Sequence, residues 1–518
     1  MNRPGTWLLP GLMLTDALLT ALAAEFELKI APESGAMAVY ADSFDWRLYQ
    51  RGYLLYCHGG ACWTLYHADS GETTIQQRGP ELHTSCSVLD FPPGGLRALL
   101  EPVLGIRCLL PLAAVHLHSR PICLLNRDKK TVARIVIETQ QPATTNGGRR
   151  YCLFHLFGIR GYEDAQAGVR RILAEAGVTE TVSPLIGFTE ACLAKGRRPL
   201  DYSPKFTLEL GGDETAHEAM ARVYQTLLDA ITRNIPGVLA DHDPEFLHDL
   251  RVAIRRTRSG LSLVKRVLPD AVSNRFSRLF RRLGTLTGPT RDLDVYLLAY
   301  EDYLKRLPPS LWPGLQEFFA TLRRKRQLEQ KKLARVLRTK KNEAIFNAWQ
   351  RAFTRHYRQP ADLADLPARA LASRIILKRY KRVMRDGQFL DVATPDTDVH
   401  RVRIQCKKLR YAMEFFGSLY PKQELQTLHR QLKKLQEILG CFNDLSVQQE
   451  MLHQSLNNLP TASPGNLDQA AALGGLLQSL FQEQQSLRTH FAETFAQFSN
   501  QKTAALFHEL FRTRLEPV

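Results

Sequence analysis

The apolar positions of the chain change their spacing near residue 211. Before it, short runs rich in β-branched and aromatic residues occupy 25–30, 53–57, 62–66, 113–118 and 132–138. Gly, Pro, Asn and Asp separate them, which predicts strands. Residues 163–176 repeat apolar or small positions at helical spacing and predict a helix. The apolar run 5–24 predicts a buried amphipathic helix. Arg3 before it and Ala-Leu-Ala-Ala at its end outline a secretory signal, but Pro10 and Asp16 break the run. It is also too short to span a bilayer. Residues 1–192 thus read as an α+β domain, and 193–210, with Lys195-Gly-Arg-Arg-Pro199, as a linker. From 211 to 515 the pattern is helical throughout. The stretches 214–234, 245–267, 271–287, 291–306 and 312–356 carry a 3.6-residue period, with Pro and Gly between them or near their ends.

The helical part contains a duplication. His248-Asp-Leu-Arg-Val-Ala-Ile-Arg-Arg-Thr-Arg258 returns as His400-Arg-Val-Arg-Ile-Gln-Cys-Lys-Lys-Leu-Arg410, an offset of 152 residues (400 − 248). At the same offset Arg281-Arg282-Leu283 returns as Lys433-Lys434-Leu435, Gly288 as Gly440, and Asp292-Leu293 as Asp444-Leu445. A unit this large is not a solenoid repeat. It fits two bundles of about four helices, with halves at about 211–360 and 361–515. The copies keep histidine, cations, glycine and aspartate, not only apolar residues, which suggests a duplicated binding surface. Asp243 is placed to cap the first helix, with Pro244 at its first position. Thr394 and Pro395 hold the corresponding places in the second copy. Pro269 and Pro421, again 152 apart, are expected to end the two helices.

On the first helix, His248, Arg251, Arg255 and Arg258 fall within an arc of about 80° at about 100° per residue. His400, Arg403, Lys407 and Arg410 do the same on the second. Leu250, Ile254 and Leu261, and then Val402, Cys406 and Met413, form the neighbouring apolar stripes. Cations so arranged repel one another. They are tolerated when solvent screens them, when carboxylates such as Asp292, Asp294 and Asp444 pair with them, or when an anion binds. Successive members lie roughly 5 Å apart along the axis, a spacing suited to a linear anion with a charge every few ångströms. Arginine offers phosphate a fork of donors and lysine a mobile point charge.

Charge points the same way. The chain of 518 residues, 44% apolar and 23% charged, has the composition of a soluble globular protein of two or three domains. Its net charge of +17 is uneven. Residues 1–200 hold 20 Lys+Arg against 18 Asp+Glu, leaving 49 against 34 for the remainder, or +15. That excess predicts a polyanionic partner. Two further basic runs, 323–341 and 374–385, are either solvated faces or the lining of a groove. The nine cysteines form no C-x-x-C pair and no zinc spacing, as expected of free thiols in a reducing, cytoplasmic compartment. Aromatic residues for base stacking are sparse among the basic runs, which disfavours nucleic acid. His248 and His400 lack ligand-like spacing, so any metal site depends on how the copies meet.

The paired blocks H-x-x-R-x-x-x-[RK]-[RK]-x-R, followed by G-x-x-R-D-L and L-G-x-x-N-D-L, resemble the CHAD family, the conserved histidine α-helical domain, over about 211–515. The resemblance implies two pseudo-symmetric four-helix bundles with a basic surface between them. It also implies binding of inorganic polyphosphate and association with polyphosphate granules. Carried over by position, the binding residues are His248, Arg251, Arg255, Arg256, Arg258, Arg281 and Arg282 in the first copy. In the second they are His400, Arg403, Lys407, Lys408, Arg410, Lys433 and Lys434. Such domains often follow a CYTH domain, a β-tunnel that hydrolyses triphosphate with a metal. Tyr40-Ala-Asp-Ser and Val132-Ala-Arg-Ile-Val-Ile-Glu138 are similar to CYTH segments. The family's R-x-R is absent from Tyr53-Leu-Leu-Tyr-Cys-His58, and its lysine from Trp63-Thr-Leu-Tyr66. Glu25-Phe-Glu-Leu-Lys29 satisfies the family's E-x-E-x-K, and alternation would set its three charges on one strand face. It follows an apolar helix and precedes Tyr40 by about ten residues, so it reads as a coincidental match in a later strand. The expectation is a polyphosphate-binding protein with a degenerate CYTH-like domain, no catalytic residues, no cofactor and no membrane insertion. The alternatives are a triphosphatase using Glu25, Glu27, Lys29 and a divalent metal, and nucleic-acid binding.

Overall fold

The computed structural model describes residues 5–9, 12–68, 73–143, 150–178, 185–357, 360–459 and 464–512. The chain divides into two compact units, Met1–Pro204 and Lys205–Val518.

The first unit runs β1 (Gly5–Leu9), α1 (Leu12–Glu25), β2 (Glu27–Ile30), β3 (Ser34–Asp42), β4 (Tyr53–His58), β5 (Cys62–His67) and β6 (Thr73–Arg78). There follow α2 (Gly95–Leu104), β7 (Leu110–Leu125), β8 (Thr131–Pro142), β9 (Tyr151–Gly158), α3 (Glu163–Glu175) and α4 (Leu185–Ala194). The strands form one antiparallel sheet in the order β1-β9-β8-β7-β3-β4-β5-β6, with β2 also on β7. The sheet curls into a half-barrel, consistent with the CYTH-like tunnel fold expected. The apolar run 5–24 is not one helix. Its first five residues alternate buried and half-buried positions and pair with β9, Trp7 opposite Phe154. Trp7, Leu9, Ile135 and Phe154 then pack against Leu18 and Leu22 of α1 and Val169 and Leu173 of α3. A second core joins Leu55, Trp63 and Leu65 to Leu96, Leu100 and Leu104 of α2.

The second unit is helical: α5 (Ala216–Ala240), α6 (Pro244–Leu263), α7 (Asp270–Leu286), α8 (Gly288–Leu298), α9 (Tyr300–Lys305), α10 (Trp312–Leu337) and α11 (Lys340–Thr354). The second copy gives α12 (Ala368–Gly387), α13 (Asp396–Phe415), α14 (Lys422–Asn457), α15 (Pro464–Thr489), α16 (Phe491–Phe498) and α17 (Gln501–Phe511). The 152-residue offset reappears in the starts of equivalent helices: 368 − 216, 396 − 244, 422 − 270 and 464 − 312. Trp349 of α11 centres one bundle among Tyr224, Phe276 and Phe280. Tyr380 of α12 stacks on Phe507 of α17 in the other. The two copies also share a core, in which Phe318, Phe319 and Leu322 of α10 meet Leu473, Leu476 and Leu480 of α15. At Gly314 an added Cβ would collide with the Asp468 carbonyl, so α10 and α15 meet backbone to backbone there.

Asp243 caps α6 as expected, its carboxylate accepting from the Glu245 and Phe246 N–H groups at 2.9 and 3.3 Å. The second copy differs. Pro395 itself is the N-cap of α13, and the Thr394 hydroxyl instead donates to Asp391 and the Phe389 carbonyl. Pro269 and Pro421 open α7 and α14 as N-cap residues and do not end the preceding helices. The stretch 312–356 divides into α10 and α11. Copy one breaks between α7 and α8 at Thr287, where Pro289 follows; Cys441 at the equivalent place lets α14 run unbroken.

Candidate functional site

Helices α6 and α13 carry the two copies of the motif and pack on each other, joined by a hydrogen bond from Arg255 Nε to the Tyr411 hydroxyl at 3.0 Å. The apolar stripes anchor them: Leu250, Ile254, Leu261, Val402, Cys406 and Met413 are all buried. That leaves the cationic stripes at the seam between the copies.

A cleft of about 410 Å3 opens there between α6, α7 and α13. Arg255, Arg258, Arg281, Lys407 and Lys408 line it, with Ser259, Ser262, Ser277, Tyr411 and Ile404. Among the described residues, no carboxylate is in that lining. The electrostatic cost is visible in the cations themselves. Burial, then Arg403 and Arg255, lower the Lys407 ammonium to about 8 from its ordinary 10.5, against a weaker pull from Asp444. Burial, then Arg379 and Arg382, lower Lys408. Burial, then Arg281, lower Arg258. Five cations and three serine hydroxyls converge on one space.

The other sequence-predicted residues are placed differently. Arg251 donates to the Gly284 carbonyl and the Thr287 hydroxyl, both at 3.0 Å, and so ties α6 to the α7–α8 junction. Arg403 reaches Asp444 at 3.3 Å, while its Nε is buried without a hydrogen bond. Arg256 makes a forked pair with Glu414. Arg410 contacts Glu414 and Gln436. His400 Nδ1 lies 2.6 Å from Asn443 Oδ1, tying α13 to α14. His248 is half-buried on α6. Arg282 and Lys434 are exposed, and Lys433 pairs with Glu437 at 3.4 Å. Among described residues, no group of three or more His, Cys, Asp or Glu could hold a metal ion.

Of the additional basic runs, the one on α10 is paired in part with the protein's own acids. Arg326 bridges Asp294 and Asp241, Arg324 meets Glu317, and Lys332 meets Glu329. The run on α12 supplies Arg379 and Arg382 beside Lys408. Sequence reasoning missed the serines. Their signal was positional: Ser259 and Ser262 follow Arg255 by four and seven residues on α6, and Ser277 precedes Arg281 by four on α7.

In the first unit Glu25, Glu27 and Lys29 are not brought together as a metal and a triphosphate would need. Glu25 is the last residue of α1 and pairs with Arg171. Only Glu27 and Lys29 lie on β2, both exposed. Alternation therefore never places the three charges on one face, and these residues do not fit a divalent metal. The strand that precedes α1 reads Gly-Thr-Trp-Leu-Leu, without an acid. On the face of β3–β5 turned away from α2 stand Tyr40, Tyr56 and Tyr66. Tyr40 packs on Phe188 of α4 at 5.0 Å between ring centroids, and burial raises the pKa of all three phenols. Gly187 brings the α4 backbone so close that a Cβ would collide with Gln140 Oε1.

The family model of the CHAD domain matches residues 222–453, which lie within the helical unit. Among solved structures, the CHAD domain of the plant Ricinus communis is similar at 27% identity and a TM-score of 0.46, covering 59% of this chain and 96% of its own. PptA from Streptomyces chartreusis is similar at 16% identity and a TM-score of 0.40, covering 54% and 99%. The Hippeastrum protein HpAC1, described as an adenylyl cyclase with a dominant triphosphatase activity, gives 11% identity and a TM-score of 0.22, covering 39% and 99%. No curated protein matches the chain. Among described residues, no helix is long and apolar enough to cross a membrane.

Proposed function

We propose that the helical unit binds inorganic polyphosphate in the cleft between α6, α7 and α13. The observation that carries this reading is the lining: Arg255, Arg258, Arg281, Lys407 and Lys408 with three serine hydroxyls and no carboxylate. Crowding like charges into a partly desolvated cleft costs free energy unless an anion joins them. Condensed phosphate supplies charges at short, regular spacing and accepts bonds from guanidinium forks and hydroxyls alike. Arg379 and Arg382 extend the positive field toward α12. The CHAD resemblance independently points to the same ligand. Binding of this kind would hold the protein on cytoplasmic polyphosphate granules, with no cofactor.

In this reading the first unit is a structural or interaction module. The placement of Glu25 on α1 and the aromatic packing around Tyr40 and Phe188 weigh against metal-dependent hydrolysis there.

The test is retention of the full chain on long-chain polyphosphate across a salt series. Retention should weaken with salt, as expected of an interaction that displaces counterions. Joint substitution of Arg255, Arg258, Arg281 and Lys407 by Ala should abolish it. Undiminished retention by that variant would refute the assignment, and stronger competition by nucleic acid than by polyphosphate would redirect it.

A further inference from the structure

We infer that the duplicated surface has one open half-site and one that the protein fills with its own carboxylate, Glu414. This rests on reading the cleft as an anion site. Shifting the lining of the cleft by 152 residues identifies its counterpart in the other copy. The cations survive the shift: Arg258 corresponds to Arg410, Arg281 to Lys433, and Lys408 to Arg256. Two hydroxyls do not, for Ser262 corresponds to Glu414 and Ser277 to His429.

Glu414 sits between the two guanidinium groups. Its Oε2 accepts from Arg256 Nε and Nη2 at 3.2 and 3.0 Å. Its Oε1 lies 3.1 Å from Arg410 Nε, in ionic contact without hydrogen-bond alignment. Each carboxylate oxygen thus faces one arginine, the arrangement a bridging phosphate would take. Lys433 has Glu437, whereas the equivalent of Glu437 beside Arg281 is Thr285. The filled half is also covered. Phe206, in the segment leading into α5, lies over the Arg256 guanidinium at 5.6 Å and packs edge-on against Phe415 at 5.6 Å. Burial outweighs the opposing pull of Glu414 and, with a smaller push from Arg410, disfavours a charge on His429, so it adds little to the cationic balance.

The copies therefore divide the work. The half-site around Ser262 receives the external anion, and the half-site around Glu414 clamps α6 to α13. A short phosphate chain should occupy one place per protein, not two.

The experiment is calorimetric titration of the full chain with tripolyphosphate, comparing wild type with Glu414→Gln, Glu414→Ser and Ser262→Glu. Wild type should bind one equivalent. Removing the Glu414 charge should add a second equivalent, or tighten the first by about tenfold or more if one chain then spans both halves. Ser262→Glu, which places a carboxylate in the open half, should weaken binding by at least about tenfold. Ser262→Glu tests the idea even if Glu414→Ser loosens the fold, and Glu414→Gln retains an acceptor for Arg256. Wild-type binding with no response to any variant would overturn this inference and leave the polyphosphate reading intact. Absence of wild-type binding, with gain in Glu414→Ser, would overturn the reading of the open cleft and support the filled one. No binding by any of the four proteins would overturn both.

Discussion

Replacing Lys407 by Met should stabilise the protein while it weakens polyphosphate binding. Lys407 is partly buried on α13 beside Arg255, Arg403 and Arg410, with only Asp444 drawing in the opposite direction. Its ammonium falls from 10.5 to about 8 in the folded protein. At roughly 1.36 kcal/mol per pH unit, the protonated lysine then costs the fold up to about 3 kcal/mol at pH 7. Solvent screening of the half-exposed side chain reduces this to about 1–2 kcal/mol. Below pH 8 both folded and unfolded chains hold the proton, and the cost is fully present. Between about 8 and 10.5 the unfolded chain holds it and the folded one does not, so the cost fades and stability rises with pH. Methionine keeps most of the stem and carries no charge. Thermal denaturation of the intact chain should show Lys407→Met melting roughly 2–5 °C above wild type at pH 7, with the gap narrowing by pH 9.5. Polyphosphate should raise the wild-type melting temperature more than that of the variant. A variant less stable than wild type at pH 7, or a gap that does not change with pH, would refute the argument that Lys407 is held at a cost.

The same charge makes binding sensitive to pH. An anion in the cleft restores the lysine proton, so wild-type affinity for polyphosphate should fall as pH rises through about 8, and that step should vanish in Lys407→Met. Asp243→Ala removes the side-chain cap of α6 and should cost about 1 kcal/mol in urea denaturation, whereas Thr394→Ala leaves the α13 N-terminus without losing a direct cap bond. Gly314→Ala forces a methyl group against the Asp468 carbonyl and should cost about 1–3 kcal/mol; an unchanged denaturation midpoint would show that α10 and α15 separate freely. Joint substitution of Glu25 and Glu27 by Gln should leave phosphate release from triphosphate with added magnesium at the wild-type level, because the two residues do not share a site.

What could be read from the sequence follows the range of the interactions that produce it. The helices of the second unit are amphipathic over several turns, so their period is local and the 152-residue offset could be counted directly. The two stripes, one with Arg255 and Arg258 and the other with Lys407, came from the same periodicity. Which cations face a ligand did not, because that depends on partners far along the chain. Arg256 and Glu414 are separated by 158 residues. Arg326 joins Asp241 and Asp294 across three elements. The apolar run 5–24 conceals a strand followed by a helix, since leucine-rich composition supports either and only the pairing of Trp7 with Phe154 decides. The break at Thr287 is a matter of one residue, Pro289 where the other copy has Cys441.

The joint core of α10 and α15 concerns the symmetry of the molecule as well as its stability. These helices are equivalent members of the two copies, and each buries its apolar face on the other. Equivalent helices α6 and α13 also meet, and the backbone bridge Thr215–Pro367 links positions again 152 apart. A contact between like elements is what a two-fold homodimer makes. Either copy expressed alone would present these faces unburied and should associate with a second molecule of itself. The arrangement is that of a two-fold dimer contained in one polypeptide. Within one chain the two halves need not stay identical, and they differ at this seam, with Ser262 in one and Glu414 at the equivalent place in the other.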